Sequence, residues 1–281
     1  MLVSKIRSNK ITYTNLDFPF NMNKESNLND KEIAKPLEAI DDSFTLDKSR
    51  QEIKFVVVEK TGRLWPYHGD KKALSASTLT KILREIEYEE IPEYILLKAA
   101  ERGKNFHDII QEFAQNGKHP SFVDLTEINK LNKLDKRIHE TINFLKKNKS
   151  LKLDRFMGSE KLHYVFYKDE LLATYVDLEF HDYIIELKTS NIKANKSPLA
   201  LLIFEIQLLI QYLCTGKNVY LLWSTGEGVI FDEFQITPHA LKILDMLMEL
   251  VKNGDDYSPQ MKKAIIQKIL SNYSTPKKLI C

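Results

Sequence analysis

A short connection between two strand-like runs constrains the fold of this chain more than any other feature of its sequence. Leu171–Phe180 and Tyr183–Thr189 are rich in apolar and β-branched residues, and only His181 and Asp182 separate them. A two-residue connection between such runs predicts a tight antiparallel hairpin. Because a hairpin determines which residues face each other, it also determines which side chains can act together.

The register of this hairpin brings charged side chains together. If Phe180 pairs with Tyr183, counting outward places Asp177 directly opposite Glu186. Residues two apart on a strand share a face, so Lys188 is expected beside Glu186 on that same face. The opposite face is expected to be apolar and to consist of Val176, Leu178, Ile185 and Leu187.

The opposed pair Asp177 and Glu186 has a chemical interpretation. Two carboxylates facing each other across a sheet repel and are normally destabilising. A shared cation relieves the repulsion, and Mg²⁺ suits the position because it takes oxygen ligands and keeps waters or phosphate oxygens in its shell. Lys188 could then orient or deprotonate a metal-bound water, or neutralise a phosphate. The alternative is a solvated hairpin face whose charges only maintain solubility.

A long helix, predicted from Pro92 to about Gln115, carries a histidine that could join this site. His107 lies within a stripe of small and apolar residues at helical spacing. A histidine in such a stripe is more often a core residue than a ligand, although neutral imidazole binds Mn²⁺ well. Gly103, one turn earlier, is expected to allow close approach of another backbone.

The most apolar helix, predicted from Pro198 to about Thr215, carries Gln207 and Gln211 one turn apart. Residues four apart share a helix face, and buried amides must find hydrogen-bond partners. An active site would supply such partners, and a polar edge that touches loops is the alternative. Because the segment falls short of the roughly 20 residues that a bilayer needs, no membrane span is predicted.

The order of predicted elements indicates an α/β protein with a central mixed β-sheet, which contains a three-strand meander and is flanked by helices. Residues 1–50 are polar and without sustained periodicity, which predicts an extension or a poorly ordered arm. Residues 51–281 are expected to form one domain with C-terminal helices. The other predicted elements are a strand at Ile53–Val58, helices beginning near Leu74 and near residue 122, strands at Leu162–Lys168, Val219–Trp223 and Val229–Ile236, and helices at about 238–252 and 258–270.

Composition excludes several classes of protein. With 281 residues, 43% of them hydrophobic and 28% charged, the chain can bury a core and is neither fibrous nor wholly disordered. A formal net charge of +2 gives no bulk basic signal, so any nucleic-acid surface must be local. Two cysteines are too few for a disulfide scaffold, a four-thiolate iron–sulfur cluster or a four-cysteine zinc site. They favour a reduced, intracellular setting.

Together these residues resemble the PD-(D/E)XK nuclease superfamily, in its RecB-like exonuclease branch. The resemblance covers about residues 74 to 224, and the ordered set is much more specific than Glu-X-Lys alone. It runs through Ser75-Ala76-Ser77-Thr78-Leu79, Arg102-Gly103 with His107, Glu160, Asp177, Glu186-Leu187-Lys188-Thr189 and the Gln207 helix.

The resemblance implies a restriction-endonuclease-like core and a role for each matched residue. One or two Mg²⁺ or Mn²⁺ ions would be bound by His107, Asp177, Glu186 and the carbonyl of Leu187. Lys188 would be the catalytic lysine, together with the catalytic carboxylates Asp177 and Glu186. Gln207 would steady Lys188 or the attacking water, and Glu160 would be an accessory carboxylate that precedes the first strand of the meander.

Two positions depart from the family pattern. Thr174 stands where the family often has glycine, and Tyr212 follows Gln207 by five residues where the family has its tyrosine after four. Among relatives, the size and the lack of a cysteine cluster favour mitochondrial genome maintenance exonucleases and phage recombination exonucleases over iron–sulfur members.

Candidate DNA contacts come from a basic tract and a hydroxyl-rich helix start. The tract between Lys130 and Lys152 includes Lys146, Lys147 and Lys149 and could bind phosphates, although a charge run is usually a solvated face. The helix start offers Ser75, Ser77 and Thr78 to a phosphate, and an ordinary N-cap is the alternative. Base stacking is open to Trp65, Tyr67 and Trp223, with core packing favoured for Trp223.

The sequence therefore predicts a Mg²⁺- or Mn²⁺-dependent DNA exonuclease for recombination, repair or replication, without an iron–sulfur cluster. Its expected partners are single-stranded or duplex DNA ends and a single-strand-binding or recombination protein, but no membrane. A structure- or sequence-specific endonuclease of the same fold and a non-catalytic DNA-binding module are the alternatives. Abundant Lys, Ile and Asn hint at an AT-rich phage or bacterial genome and a cytoplasmic protein, with a mitochondrial location left open.

Overall fold

The computed structural model describes residues 53–59, 61–116, 133–148, 155–190, 197–225, 227–254 and 257–272. The predicted extension at residues 1–50, the start of the helix predicted near residue 122, and Lys149 lie outside the described residues. Within the described ranges the chain is an α/β protein with a five-stranded mixed sheet and a three-stranded antiparallel sheet, flanked by helices. This architecture confirms the predicted fold class.

The three-stranded sheet comes first in the chain. Its strands are β1 (Ile53–Val58), β2 (Arg63–His68) and β3 (Lys71–Lys72), paired in that order. Only β1 was predicted from sequence, because a proline within a run such as β2 argues against a strand. The Leu74 N–H donates to the Leu171 carbonyl at 2.8 Å, so this sheet is tethered to the five-stranded sheet.

The five-stranded sheet contains the predicted meander and two further strands. In spatial order it consists of β4 (Phe156–Tyr167), β5 (Glu170–Phe180), β6 (Tyr183–Thr189), β7 (Asn218–Thr225) and β8 (Gly228–Glu233). Neighbouring strands are antiparallel except β6 and β7, which are parallel. A parallel pair needs a crossover connection, and the long apolar helix predicted between these two strands provides it.

Seven helices surround the sheets within the described part of the chain. They are α1 (Ala76–Leu79), α2 (Lys81–Glu87), α3 (Glu93–Asn116), α4 (Lys133–Lys147), α5 (Pro198–Thr215), α6 (Pro238–Lys252) and α7 (Pro259–Asn272). Thr80 separates α1 from α2, so the helix predicted near Leu74 is in fact two short ones. The bounds of α5 are those predicted, because Ser197 caps its first turn and Gly216 ends it in the left-handed conformation.

The hydrophobic core lies on both sides of the five-stranded sheet. On one side α3 packs against β5 and β6 and α4 packs against β7 and β8, for example Phe106 and Ile138 in a cluster with Leu187. On the other side α5 and α6 pack with the start of β5, for example Leu209 and Leu244 with Leu172. By length and composition α5 could cross a membrane, with a mean hydropathy of 1.6, but 61% of it is buried inside the fold. Its place in the core accounts for its composition.

The hairpin register is as predicted, but the predicted apolar face is wrong at Val176. Leu178 pairs with Ile185, which is the register obtained by counting outward from the turn. Leu178 packs on the side of α3, whereas Val176 belongs to a cluster with Leu208 of α5. Residues two apart on a regular strand share a face, so β5 must change face at Asp177.

Irregular backbone also explains the errors at β4. The strand begins at Phe156 rather than Leu162, so Glu160 lies inside the strand and not before it. The pairing shifts between Phe156 and Gly158, and Glu160 has a left-handed φ of 52°. These irregularities break the alternation by which a strand is recognised. At the other end of the sheet, β8 stops at Glu233 instead of Ile236.

Candidate active site

Asp177 lies where β5 separates from β6. The pairing of the two strands ends at Leu178 and Ile185, and beyond that point the Asp177 side chain takes the place of a backbone acceptor. Its Oδ2 accepts a hydrogen bond from the Leu187 N–H at 2.8 Å. Its Oδ1 lies 3.3 Å from Nδ1 of His107 on α3. One carboxylate thus connects the backbone of β6 to a helix on one side of the sheet.

Glu186 is supported from the opposite side. The residue is only 2% exposed, and the Lys188 ammonium donates to its Oε1. From α5, Gln207 Nε2 donates to Oε1 at 2.5 Å and Gln211 Nε2 donates to Oε2 at 2.5 Å. The expectation that the two glutamines share a helix face and find hydrogen-bond partners is confirmed, because both donate to Glu186. The sequence pattern marks Gln211 for no separate role, although it stands four residues after Gln207.

The environment moves the pKa values of the two carboxyls in opposite directions. Burial raises the pKa of Asp177, but the charge and hydrogen bond of His107, followed by Lys188, outweigh burial and hold it below its ordinary value. For Glu186, burial and the negative charge of Asp177 raise the pKa despite Lys188 and Gln211. Two carboxyl groups whose pKa values are pushed apart are typical of sites that move protons.

The two cationic groups of the site are both stabilised in their charged forms. Burial lowers the pKa of Lys188, but Glu186 and Asp177 outweigh burial and raise it above its ordinary value. Burial likewise opposes protonation of His107, and the charge and hydrogen bond of Asp177 raise its pKa. In this state Lys188 is therefore a cation and not a base.

The donor set suits a hard divalent cation, because it offers two carboxylates and one imidazole. Across the described ranges, however, no three His, Cys, Asp or Glu side chains lie in an arrangement that holds a metal ion. In this state Lys188 contacts Glu186 and His107 contacts Asp177. Metal binding requires Lys188 to leave Glu186 and His107 to be neutral.

The structure corrects the interpretation of Gly103. A Cβ atom added there would meet no atom within 4 Å, so the glycine does not allow close approach of another backbone. His107 itself is placed at the site by its position on α3, directly after Phe106, which is fully buried in the core beneath the helix.

Glu160 lies next to the site on β4. It occupies the position between Ser159, which pairs with Leu178, and Lys161, which pairs with Val176, and so stands across from Asp177. Its carboxylate accepts from Gln111 Nε2 at 3.1 Å and lies 2.6 Å from a guanidinium nitrogen of Arg63. Three neighbouring strands thus carry carboxylates side by side, and Glu160 is the one that contacts the three-stranded sheet.

A cleft of about 460 Å³ opens beside the charged cluster. Its lining includes Lys188 and Gln207 and brings in residues from α1, α2 and the three-stranded sheet. Several lining residues carry no local sequence signal that marks them for a site, namely Arg63, Arg84, Tyr88 and Tyr175. Trp65, a candidate for base stacking, also lines the cleft, whereas Trp223 is 1% exposed and belongs to the core as predicted.

The candidate DNA contacts are spread over the fold. Ser75 and Ser77 line the cleft. Ser75 Oγ also caps α1 by accepting from the Thr78 N–H at 3.0 Å and lies 2.9 Å from the Thr78 hydroxyl. Lys146 and Lys147 lie in the last turn of α4, where Lys146 is placed over the ring of Phe113. The role of each in DNA binding stays a prediction.

No family model and no curated protein matches the chain. The crystal structure of SSO0001 is similar at 18% identity and a TM-score of 0.35, over 73% of this chain and 86% of that chain. A candidate exonuclease from Eubacterium rectale is similar at 12% identity and a TM-score of 0.41, over 73% and 90%. Likeness at this level assigns no activity to the chain.

Proposed function

We propose that this chain is a metal-dependent DNA exonuclease of the PD-(D/E)XK superfamily, RecB-like branch, that acts in DNA recombination, repair or replication. One observation carries the proposal: Asp177, Glu186 and Lys188 form a charged cluster whose side chains are only 13%, 2% and 21% exposed, and separate supports on the two sides of the sheet hold its carboxylates. Such a cluster costs desolvation energy, and a solvated hairpin face would not bury it.

Each residue of the cluster has its own role in this proposal. Asp177, Glu186, His107 and the Leu187 carbonyl would hold Mg²⁺ or Mn²⁺, which when bound supplies an activated water and stabilises charge on the leaving oxygen. Lys188, a cation held in the site by Glu186 and Asp177, would stabilise the negative charge of the reacting phosphate. Gln207 and Gln211 keep the Glu186 carboxylate oriented and hydrogen-bonded.

The test is cleavage of end-labelled single- and double-stranded DNA with Mg²⁺, with Mn²⁺ or with EDTA. We expect activity that depends on the metal and is lost in Asp177→Asn. Asp182→Asn is the matched control, because Asp182 lies in the turn of the same hairpin with 57% of its side chain exposed. Metal-independent cleavage, or no cleavage of any DNA, would contradict the proposal.

The alternatives are separated by two further measurements. Closed circular DNA is resistant to an exonuclease, and its cleavage would favour a structure- or sequence-specific endonuclease. Calorimetric titration with Mn²⁺ addresses the non-catalytic module. DNA binding without any metal binding would favour the module, whereas Mn²⁺ binding that Asp177→Asn weakens supports the enzyme.

A further inference from the structure

Two aromatic rings from different sheets meet in the lining of the cleft. Trp65 of β2 and Tyr175 of β5 both line it and are half-buried. Their ring centroids are 5.9 Å apart with an interplanar angle of 38°. Lys188 and Gln207 of the candidate active site line the same cleft. An aromatic surface therefore lies in the same cavity as the proposed catalytic lysine.

The polar atoms of both rings are already bonded within the protein. Trp65 Nε1 donates to the Ala73 carbonyl at 2.9 Å, and the Tyr175 hydroxyl donates to the Leu64 carbonyl at 2.6 Å. Neither ring needs a polar ligand to satisfy it, and both are fixed before anything binds. A rigid apolar surface of this kind costs little conformational entropy when a flat ligand stacks on it.

Positive charge lies around the rings. The Arg63 guanidinium is 4.9 Å from the centroid of the Tyr175 ring. Arg84 also lines the cleft, and its Nε is buried without a hydrogen-bond partner among the described residues. A buried donor on a cationic side chain favours an anionic ligand. The cleft thus combines a surface for a flat ring with donors for a phosphate, which are the two chemical parts of a nucleotide.

We propose that the cleft binds one unstacked nucleotide of single-stranded DNA, with its base on Trp65 and Tyr175 and its phosphate towards Arg84 and Lys188. This inference rests on the proposed function and specifies its substrate class. Within a duplex, neighbouring base pairs cover both faces of each base, so only a single strand or a frayed end can offer a face for stacking. The volume of about 460 Å³ is that of a small-ligand site.

Intrinsic fluorescence provides a direct test, because the chain has only two tryptophans and Trp223 is 1% exposed. A short oligothymidylate, added in EDTA so that no metal-dependent cleavage occurs, should quench the wild type and Trp223→Phe. It should not quench Trp65→Phe. Binding detected by anisotropy without any quenching of the wild type would overturn the proposal. A blunt hairpin duplex of the same length should bind more weakly than the single strand, and equal or tighter binding would also count against it.

A second measurement tests whether the base stacks on the Tyr175 ring, by combining a change in the DNA with a change in the protein. In the wild type, replacing the base that stacks on Trp65 and Tyr175 by an abasic site should weaken DNA binding by about 5- to 150-fold, the scale for one base–aromatic stack. Tyr175→Leu should bind intact DNA more weakly and lose little more with the abasic strand. Tyr164→Leu is the control, since Tyr164 is 37% exposed on β4 and does not line the cleft.

The outcomes distinguish this inference from the proposed function. An abasic penalty that is the same in wild type and Tyr175→Leu would mean that the ring has only a structural role, and the inference would be wrong even if DNA is cleaved. If the abasic penalty is smaller in Tyr175→Leu than in wild type but no DNA is cleaved with any metal, the nucleotide site is supported and the proposed exonuclease activity is wrong.

Discussion

The carboxylate of Asp177 and the backbone N–H of Leu187 are joined by a hydrogen bond of 2.8 Å that replaces a rung of the sheet. Because β5 and β6 stop pairing at Leu178, the Asp177 side chain enters the gap and reaches His107 on α3. Glu186, on the neighbouring strand, is held by glutamines of α5. The two carboxylates are therefore supported from opposite sides of the sheet, and each can be changed without removing the support of the other.

The first prediction concerns Lys188. Lys188→Ala should lower single-turnover cleavage by about 10²-fold or more, the scale for a positioned electrostatic or proton-transfer group. It should leave Mn²⁺ affinity intact or increased, because the ammonium that competes for Glu186 is gone. Lys54→Ala, on exposed β1, is the control. Near-wild-type cleavage by Lys188→Ala would defeat the assignment of the site.

The second prediction reverses what the sequence alone suggests for Asp177. Repulsion between Asp177 and Glu186 suggests that Asp177→Asn stabilises the metal-free fold. The structure indicates the opposite, because the pKa of Asp177 is lowered, against burial, by His107 and Lys188. The folded state therefore favours the carboxylate. In EDTA, denaturant unfolding of Asp177→Asn should show a loss of about 2 kcal/mol, as for hydrogen bonds to charged groups.

The pH dependence of that loss follows from His107. Burial opposes its protonation, yet Asp177 raises its pKa above the ordinary 6.5. Because the pKa of His107 is higher in the folded state than in the unfolded state, its protonation stabilises the fold. This stabilisation is fully present below the pKa of the unfolded state and disappears as the pH rises through the pKa of the folded state. The difference between wild type and Asp177→Asn should therefore be larger at about pH 6 than at about pH 9. A stabilised variant, or a difference that grows with pH, would contradict this account.

The third prediction concerns Gln211, which is fully buried and donates to Glu186 Oε2. Gln211→Leu removes a donor to the charged carboxylate, so the pKa of Glu186, already raised by burial and Asp177, should rise further. If catalysis needs ionised Glu186, the acidic limb of the single-turnover rate profile should move up by about one pH unit.

The exposed Gln267→Leu on α7 is the matched control for Gln211→Leu. A uniformly lower rate with an unshifted acidic limb would mean that Gln211 supports the fold alone and does not tune Glu186.

The hairpin shows how far sequence reasoning reaches for this chain. Its register could be predicted because a two-residue turn and strand alternation are local, and the pairing of Leu178 with Ile185 confirms it. The face on which Val176 lies could not be predicted, because the strand pairing is interrupted at Asp177, where a side chain replaces a backbone acceptor. Likewise Trp65 and Arg84 meet Lys188 in one cleft only through tertiary packing, and no spacing in the sequence marks that meeting.

The last prediction concerns stability away from the candidate active site. Glu179 is 3% exposed, and its Oε1 accepts from Lys217 Nζ at 2.7 Å. Its Oε2 lies 3.2 Å from Lys161 Nζ and 3.3 Å from His163 Nε2. Burial raises the pKa of Glu179, but His163 and Lys217 outweigh burial and lower it to about 2.

Because the pKa of Glu179 is lower in the folded state than in the unfolded state, its ionised carboxylate stabilises the fold. This stabilisation is fully present above the unfolded-state pKa of 4.5 and is lost as the pH falls towards about 2. Glu179→Gln should therefore destabilise the protein by roughly 3 kcal/mol at neutral pH, and the difference from wild type should shrink steadily below about pH 4.5. Urea unfolding across that range measures it, with the exposed Glu233→Gln on β8 as the control. A difference that stays constant with pH would show that packing around the side chain, and not its charge, accounts for the loss.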